Sequence, residues 1–121
     1  MDHATFLRLV RYDADGLVPC VVQAAGSREV LMVAYANEAA LRTTLSSGEA
    51  HFWSRSRREL WHKGGTSGNV QRLVSARLDC DHDTVLLVVA PAGPACHTGA
   101  VSCFRDEANG GAVTSPTAAS E

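Results

Sequence analysis

A chain of 121 residues with 45% hydrophobic content has apolar material for one core and too little for two. Its formal charge of -2 argues against a general nucleic-acid binder, and its longest apolar runs, Val30 to Ala36 and Val85 to Ala90, fall far short of the roughly 20 residues that cross a bilayer. Nothing at the start reads as a secretory signal, so a cytoplasmic protein with reduced thiols and no membrane partner is expected.

Residues 1–15 intersperse Phe6, Leu7, Leu9 and Val10 among polar groups, a pattern that suits a short helix and a docked arm equally. Leu17 to Gln23 and Glu29 to Ala36 are β-branched apolar runs around Ala-Gly-Ser-Arg, which predicts a hairpin. Pro19 is tolerable near the first strand's start, and Cys20, alone among valines, is expected to be a small buried hydrophobe. Asn37 is a good helix cap and Gly48 a good stop. Between them Ala40, Leu41, Thr44 and Leu45 fall on one face, predicting one short amphipathic helix.

Ala50 to Ser54 and Glu59 to Lys63 predict two strands around the basic turn S-R-S-R-R, with core positions expected for at least two of Phe52, Trp53 and Trp61. Residues 64–69, G-G-T-S-G-N, form a polar loop that lacks the lysine and length of a P-loop. Val70 to Leu78 alternates, with Val70, Val74, Ala76 and Leu78 on one side, as a half-buried strand does. Val85 to Ala90 is unbroken, which implies burial on both faces. After Pro91, prolines and glycines force a loop that carries Cys96, His97 and Cys103. From about Arg105 the chain is too poor in large apolar groups to hold a fold, so residues 1–105 are read as one domain and 106–121 as a disordered tail.

The chemistry concentrates between Asp79 and Cys103. Asp79, Asp81 and Asp83 interleave with Cys80 and His82, and three of the four cysteines lie in this stretch. Thiolates suit zinc, whereas clustered carboxylates suit a hard cation such as magnesium. If residues 79–83 are extended, the aspartates project from one face and Cys80 with His82 from the other. Three cysteines leave a tetrahedral zinc one ligand short, and an open position is what distinguishes a catalytic zinc. Plainer readings compete: two disulfides, which a reducing compartment disfavours, or a closed structural zinc completed by His82 or His97. An EF-hand is rejected, because its required Gly and Glu positions hold Thr84 and Ala90. Arg55, Arg57, Arg58 and Lys63 stand against Glu59 alone, a solvated strand edge or a phosphate site.

H-F-W-S-R-S-R-R-E-L-W-H-K-G-G-T-S-G-N from His51, L-D-C-D-H-D from Leu78 and G-P-A-C-H-T-G-A-V-S-C-F from Gly93 resemble the phosphoribosyl-AMP cyclohydrolases of histidine biosynthesis, in their monofunctional form. V-L-M-V-A-Y-A-N-E-A-A-L from Val30 fits more mildly. The resemblance implies an α+β, mostly β fold: a small domain of antiparallel strands with one short helix after the first hairpin, two copies intertwined as a homodimer. It implies zinc on Cys80, Cys96 and Cys103, shared between subunits with the first cysteine facing the other two, and magnesium on Asp79, Asp81 and Asp83. The implied reaction is opening of an adenine ring, alkylated at N1 by a phosphoribosyl group, by zinc-activated water at C6. His97, beside Cys96, is the favoured proton shuttle, with His62 and His51 as alternatives. Arg55, Arg57, Arg58, Trp61, Lys63, Thr66 and Ser67 are candidates for holding the phosphorylated substrate. The pyrophosphatase domain that some relatives carry is expected on another chain. A second reading, of a different class, is a zinc-stabilised binding module for a phosphorylated ligand or RNA, without turnover.

Overall fold

The computed structural model describes residues 1–110. The tail reading for 106–121 therefore lies mostly outside the described residues. In chain order the elements are α1 (His3–Leu9), β1 (Val18–Ala24), β2 (Val30–Ala36), α2 (Glu38–Ser47), β3 (His51–Ser54), β4 (Glu59–His62), β5 (Gln71–Leu78) and β6 (Val85–Pro91). The strands form a four-stranded sheet in the order β2-β1-β6-β5 and a separate β3-β4 ribbon. The pairing is antiparallel throughout except between β1 and β6, which run parallel. The one short helix expected after the first hairpin is α2, and α1 settles residues 3–9 as a helix, of the two forms open to the start of the chain. No helix among the described residues is long and apolar enough to cross a membrane.

Local signals account for most of these elements. In α1 the Asp2 carboxylate accepts the Thr5 N–H at 2.8 Å, and Phe6 is buried. In α2 the Asn37 side chain accepts the Ala40 N–H at 2.9 Å, and Gly48, left-handed at φ 75°, returns its N–H to the Thr44 carbonyl. Strand β1 buries Val18, Cys20, Val22 and Ala24, one residue in two. Those side chains meet Leu31, Ala40, Leu41, Phe52, Val85, Leu87 and Val89 in a single core. The hairpin of β1 and β2 forms as the sequence predicts.

Three expectations of burial need correction. Along β5 the register slips between Leu73 and Ser75, so Val74 is an extra residue that reverses the facing of everything before it. Gln71 is therefore fully buried and Val74 is 60% exposed, while Ala76 and Leu78, after the slip, pack on the core as predicted. Strand β6 buries Val85, Leu87 and Val89 but only half-buries Leu86 and Val88, so its second face is not closed within one chain. Of the three aromatics only Phe52 enters the core, with Trp61 tilted against it at 5.6 Å between ring centres and Trp53 half-buried.

Four hydrogen bonds root the loops. The Gln71 amide donates to the carbonyls of Asn69 and Gly93, tying residues 64–69 to the segment after β6. Ser102 Oγ donates to the Val30 carbonyl at 2.7 Å, and the Cys103 N–H to Leu31 at 2.7 Å, fastening the cysteine loop to the start of β2.

Burial pushes the Cys20 thiol up to about 12. A folded value above the unfolded one of about 8.5 favours the fold while the thiol is neutral, so this contribution is complete below about pH 8.5 and is lost as pH climbs toward 12. Cys20 should resist alkylation near neutral pH until the chain unfolds, and Cys20→Ser should cost about 1–2 kcal/mol in urea melts. Gly64 and Gly68 both sit at positive φ, 79° and 84°, but a Cβ on Gly64 would strike the backbone of Asn69 and Val70 whereas Gly68 faces open space. Gly64→Ala should therefore lose about 2 kcal/mol or more, and Gly68→Ala nearer 1 kcal/mol, by melting.

Candidate active site

The D-C-D-H-D segment is a turn joining β5 to β6, not an extended strand. Asp79 Oδ1 accepts the N–H groups of Asp83 at 3.1 Å and Thr84 at 3.2 Å, and His82 adopts a left-handed conformation at φ 66°. The predicted division of faces is thereby replaced by convergence. Carboxylate oxygens of Asp79, Asp81 and Asp83 lie within 4.8 Å of one another, close enough to share one hard cation. Partial desolvation pushes Asp79 up, but the hydrogen bonds from Thr84, Asp81 and Asp83 outweigh it and hold the carboxyl below its usual range. Asp83 is raised, first by its hydrogen bond with Asp81, then by desolvation and by the charges of Asp81 and Asp79. Crowding of this kind is relieved by a cation.

The thiols are divided. Cys96 and Cys103 are neighbours in the loop after β6, whereas Cys80 is exposed in the turn before it. Strand β6 separates the two places, and six residue steps at about 3.3 Å put roughly 20 Å between its ends. Among the described residues, the aspartates alone form a group of three or more metal-ligating side chains. One chain therefore does not assemble the three cysteines.

The loop around Cys96 is tight and polar. The Cys96 N–H bonds the Ala100 carbonyl, and the Gly99 N–H returns to Cys96. The Thr98 hydroxyl lies 3.0 Å from Cys96 Sγ, and that contact first, then the Thr98 backbone, draws the Cys96 thiol below its usual value. Cys103 is pushed up, mainly by desolvation and then by Cys96, with Lys63 and Arg105 pulling the other way. His97 is exposed in the same turn.

The basic stretch does not act as one patch. Arg55 lies over the Tyr35 ring, 4.0 Å from its centre, and shares a cleft of about 380 Å³ with Arg58, Asp15 and Trp53. Arg57 and Trp61 line a different cleft, and Lys63 Nζ lies 5.5 Å from the Trp61 ring centre. Thr66 and Ser67 are exposed in the 64–69 loop, where Ser67 Oγ accepts the Asn69 N–H. A larger cleft, about 590 Å³, opens beside Asp81 and Asp83 and is walled by Arg11, Tyr12 and Tyr35. Tyr35 thus links the basic turn to the acidic one.

His51 and His62 face each other across the β3-β4 ribbon, their rings parallel to within 5° and 4.3 Å apart. Glu49 serves both: its carboxylate is 2.7 Å from His62 Nε2 and its carbonyl 2.7 Å from His51 Nδ1. Glu49, Tyr35 and Arg11 are not among the residues that the sequence singles out. For Glu49 the available signal is the Glu-x-His spacing at the start of a strand, which puts both side chains on one face. For Tyr35 and Arg11 there is none, because both reach the cleft through long-range packing.

The family model described as phosphoribosyl-AMP cyclohydrolase matches residues 32–105. A protein of that name from Lacticaseibacillus casei is 58% identical over 91 residues, which cover 75% of this chain and 83% of the relative. Another, from Archaeoglobus fulgidus, is 53% identical over 104 residues, covering 86% and 96%. The histidine biosynthesis bifunctional protein HisIE of Bacillus subtilis is 53% identical over 98 residues, which span 81% of this chain and 47% of that longer protein. With more than half its length matched by the family model, and relatives at this identity over most of both chains, the chain belongs to the phosphoribosyl-AMP cyclohydrolase family.

Proposed function

We propose that the chain hydrolyses the N1–C6 bond of the adenine ring in phosphoribosyl-AMP, the reaction for which its relatives are named, as a step of histidine biosynthesis in the cytoplasm. The observation that carries this is the identity of 53% and 58% over nearly the whole of monofunctional relatives. The atoms balance as the addition of one water. Its oxygen bonds to C6 and the C6–N1 pair leaves with N1; of the water's two protons one ends on N1 and the other on the exocyclic nitrogen, leaving a carboxamide and a formimino group.

The residues suit two cations of different character. Asp79, Asp81 and Asp83 offer converging hard oxygens and would hold magnesium. Cys96 and Cys103 offer two adjacent soft donors, and Cys80 of a second copy would complete the set for zinc. A zinc ion on such thiolates supplies Lewis acidity that makes water a nucleophile near neutral pH. Because β6 keeps Cys80 away from the other two in its own chain, a homodimer that brings opposite ends of the sheet together is the arrangement this requires. The half-covered face of β6 and the exposed Val33, Val74 and Val101 leave apolar surface for such a contact.

The chain's own groups divide the remaining work. Arg55 and Arg58 bind a phosphate in the cleft they share with Asp15 and Trp53, and Lys63, Thr66 and Ser67 approach the second. Trp61 offers a ring for the base to stack on. His97, exposed beside Cys96, and the His62 and His51 pair are the groups able to carry the proton to N1.

Incubation with phosphoribosyl-AMP, zinc and magnesium should change the adenine absorbance, and a folded chain without turnover would sink the reading. Cys80→Ser and Cys96→Ser should each be inactive alone, yet refolding them as a mixture should restore roughly a quarter of wild-type activity, since half of randomly paired dimers carry one intact site of two. Mixed dimers with no recovery would show that each chain builds its own site. Asp81→Asn should weaken the response to added magnesium while zinc content stays unchanged; equal loss of both metals would mean that the two sites are not separate.

A further inference from the structure

We propose that Glu49 is a positioning residue for this reaction: its carboxylate fixes His62 with the proton on Nε2, while its backbone carbonyl fixes the stacked His51 with the proton on Nδ1. The reaction it serves is the one proposed above, and on that point the inference rests on that reading.

The tautomers follow from the acceptors. A backbone carbonyl has no proton to give, so His51 Nδ1, 2.7 Å from the Glu49 oxygen, must be the donor. An ionised carboxylate likewise only accepts, so the 2.7 Å contact to His62 requires the proton on Nε2. When neutral, His62 then keeps its lone pair on Nδ1, and His51 keeps its own on Nε2. The two rings are not free to exchange these roles, because the two Glu49 acceptors differ and Thr44 Oγ1 holds the His51 backbone in place by accepting its N–H at 2.9 Å.

The free nitrogen of His62 is turned toward the candidate substrate loop. A Cβ on Gly65 would come within 2.8 Å of His62 Nδ1, so the glycine backbone lies directly against it. Gly65 also donates its N–H to the His62 carbonyl at 3.0 Å. The loop that starts there carries Thr66 and Ser67, and at its far end the Asn69 side chain packs against Gly93, three residues before Cys96. Glu49 and His62 thus stand at the root of the polar loop, whose far end meets the segment that leads to Cys96.

The surroundings supply few competing charges. Lys63 adjoins His62 and Arg72 pairs across from Glu49, while α2 meets β3 through the neutral Thr44, its Glu38 and Arg42 being paired with each other. Residues 64–69 carry no charge. As a fastening the contact contributes little, since the two side chains are 38% and 33% exposed and surface pairs of that kind are weak. What a carboxylate on an imidazole does supply is a defined tautomer and ring orientation, which a proton carrier needs.

The test uses the full chain with zinc and magnesium and the nearly isosteric Glu49→Gln. Nitrogen-15 NMR of the neutral imidazoles should find His62 as the Nε2–H form and His51 as the Nδ1–H form in the wild type, with His62 becoming a mixture in Glu49→Gln. The same variant should lose roughly 10- to 100-fold in kcat with KM within about twofold, a part of the 10²- to 10⁴-fold that positioned acid–base groups supply. His62→Gln should lose at least as much, and the double variant no more than His62→Gln alone. The assignment is overturned if His62 carries its proton on Nδ1, if its tautomer ignores Glu49→Gln, or if kcat is unchanged and only the melting temperature falls. A wild type without turnover would sink the reaction and not the tautomer assignment, which the NMR measurement decides alone.

Discussion

Strand β6 is hydrogen-bonded on both sides, parallel to β1 and antiparallel to β5, and a strand held in that way cannot fold back on itself. Everything attached to it is sorted by that rigidity. The acidic turn and Cys80 sit at its beginning, and Cys96, His97 and Cys103 follow its end. The two ligand sets are close in sequence because one strand joins them, and far apart in space for the same reason. On the proposed reading, a site that used both sets would draw the second from another copy of the chain, whereas ligands on facing loops would need no partner.

Around that strand, buried polar groups do the fastening. Gln71 is fully buried and spans two loop carbonyls, Thr44 holds the backbone of His51, and Ser102 reaches the first residues of β2. Each would be costly to bury without a partner, and each partner lies on a different segment. The loops carrying the candidate substrate and metal residues are consequently fixed at their bases. Their tips remain exposed, a division that suits sites in which scaffold and ligand contacts are separate duties.

The electrostatics follow the same plan. Three carboxylates are held together in a turn, where the hydrogen bond with Asp81, then desolvation and like charge, raises Asp83 while backbone and neighbouring donors stabilise the ionised Asp79. Two thiols are held together in a loop, where the Thr98 hydroxyl favours ionised Cys96 and Cys103 is held back by desolvation and its neighbour. Both arrangements crowd groups whose ionised forms repel one another, and a bound cation would offset that repulsion.

The sequence alone determines the features that depend on near neighbours. The caps of α2 at Asn37 and Gly48, the alternation of β1 and the buried Cys20 are all legible, because cap geometry and side-chain period act within one element. The motifs also identify the family and nominate the aspartates and cysteines, since ligand chemistry is a property of residue type. Tertiary structure decides the rest. The slip at Val74 depends on pairing with β6 and exchanges the buried face that alternation predicts. The acidic segment becomes a turn because β5 and β6 pair on either side of it, and His82 accommodates the reversal. Arg55, Arg57 and Arg58 are consecutive in motif but divided among clefts, and Glu49 gains its role only when β3 and β4 stack two histidines beside it. Spacing along a chain encodes which chemistry is available; which groups meet is set by long-range strand pairing, whose partners no local pattern names.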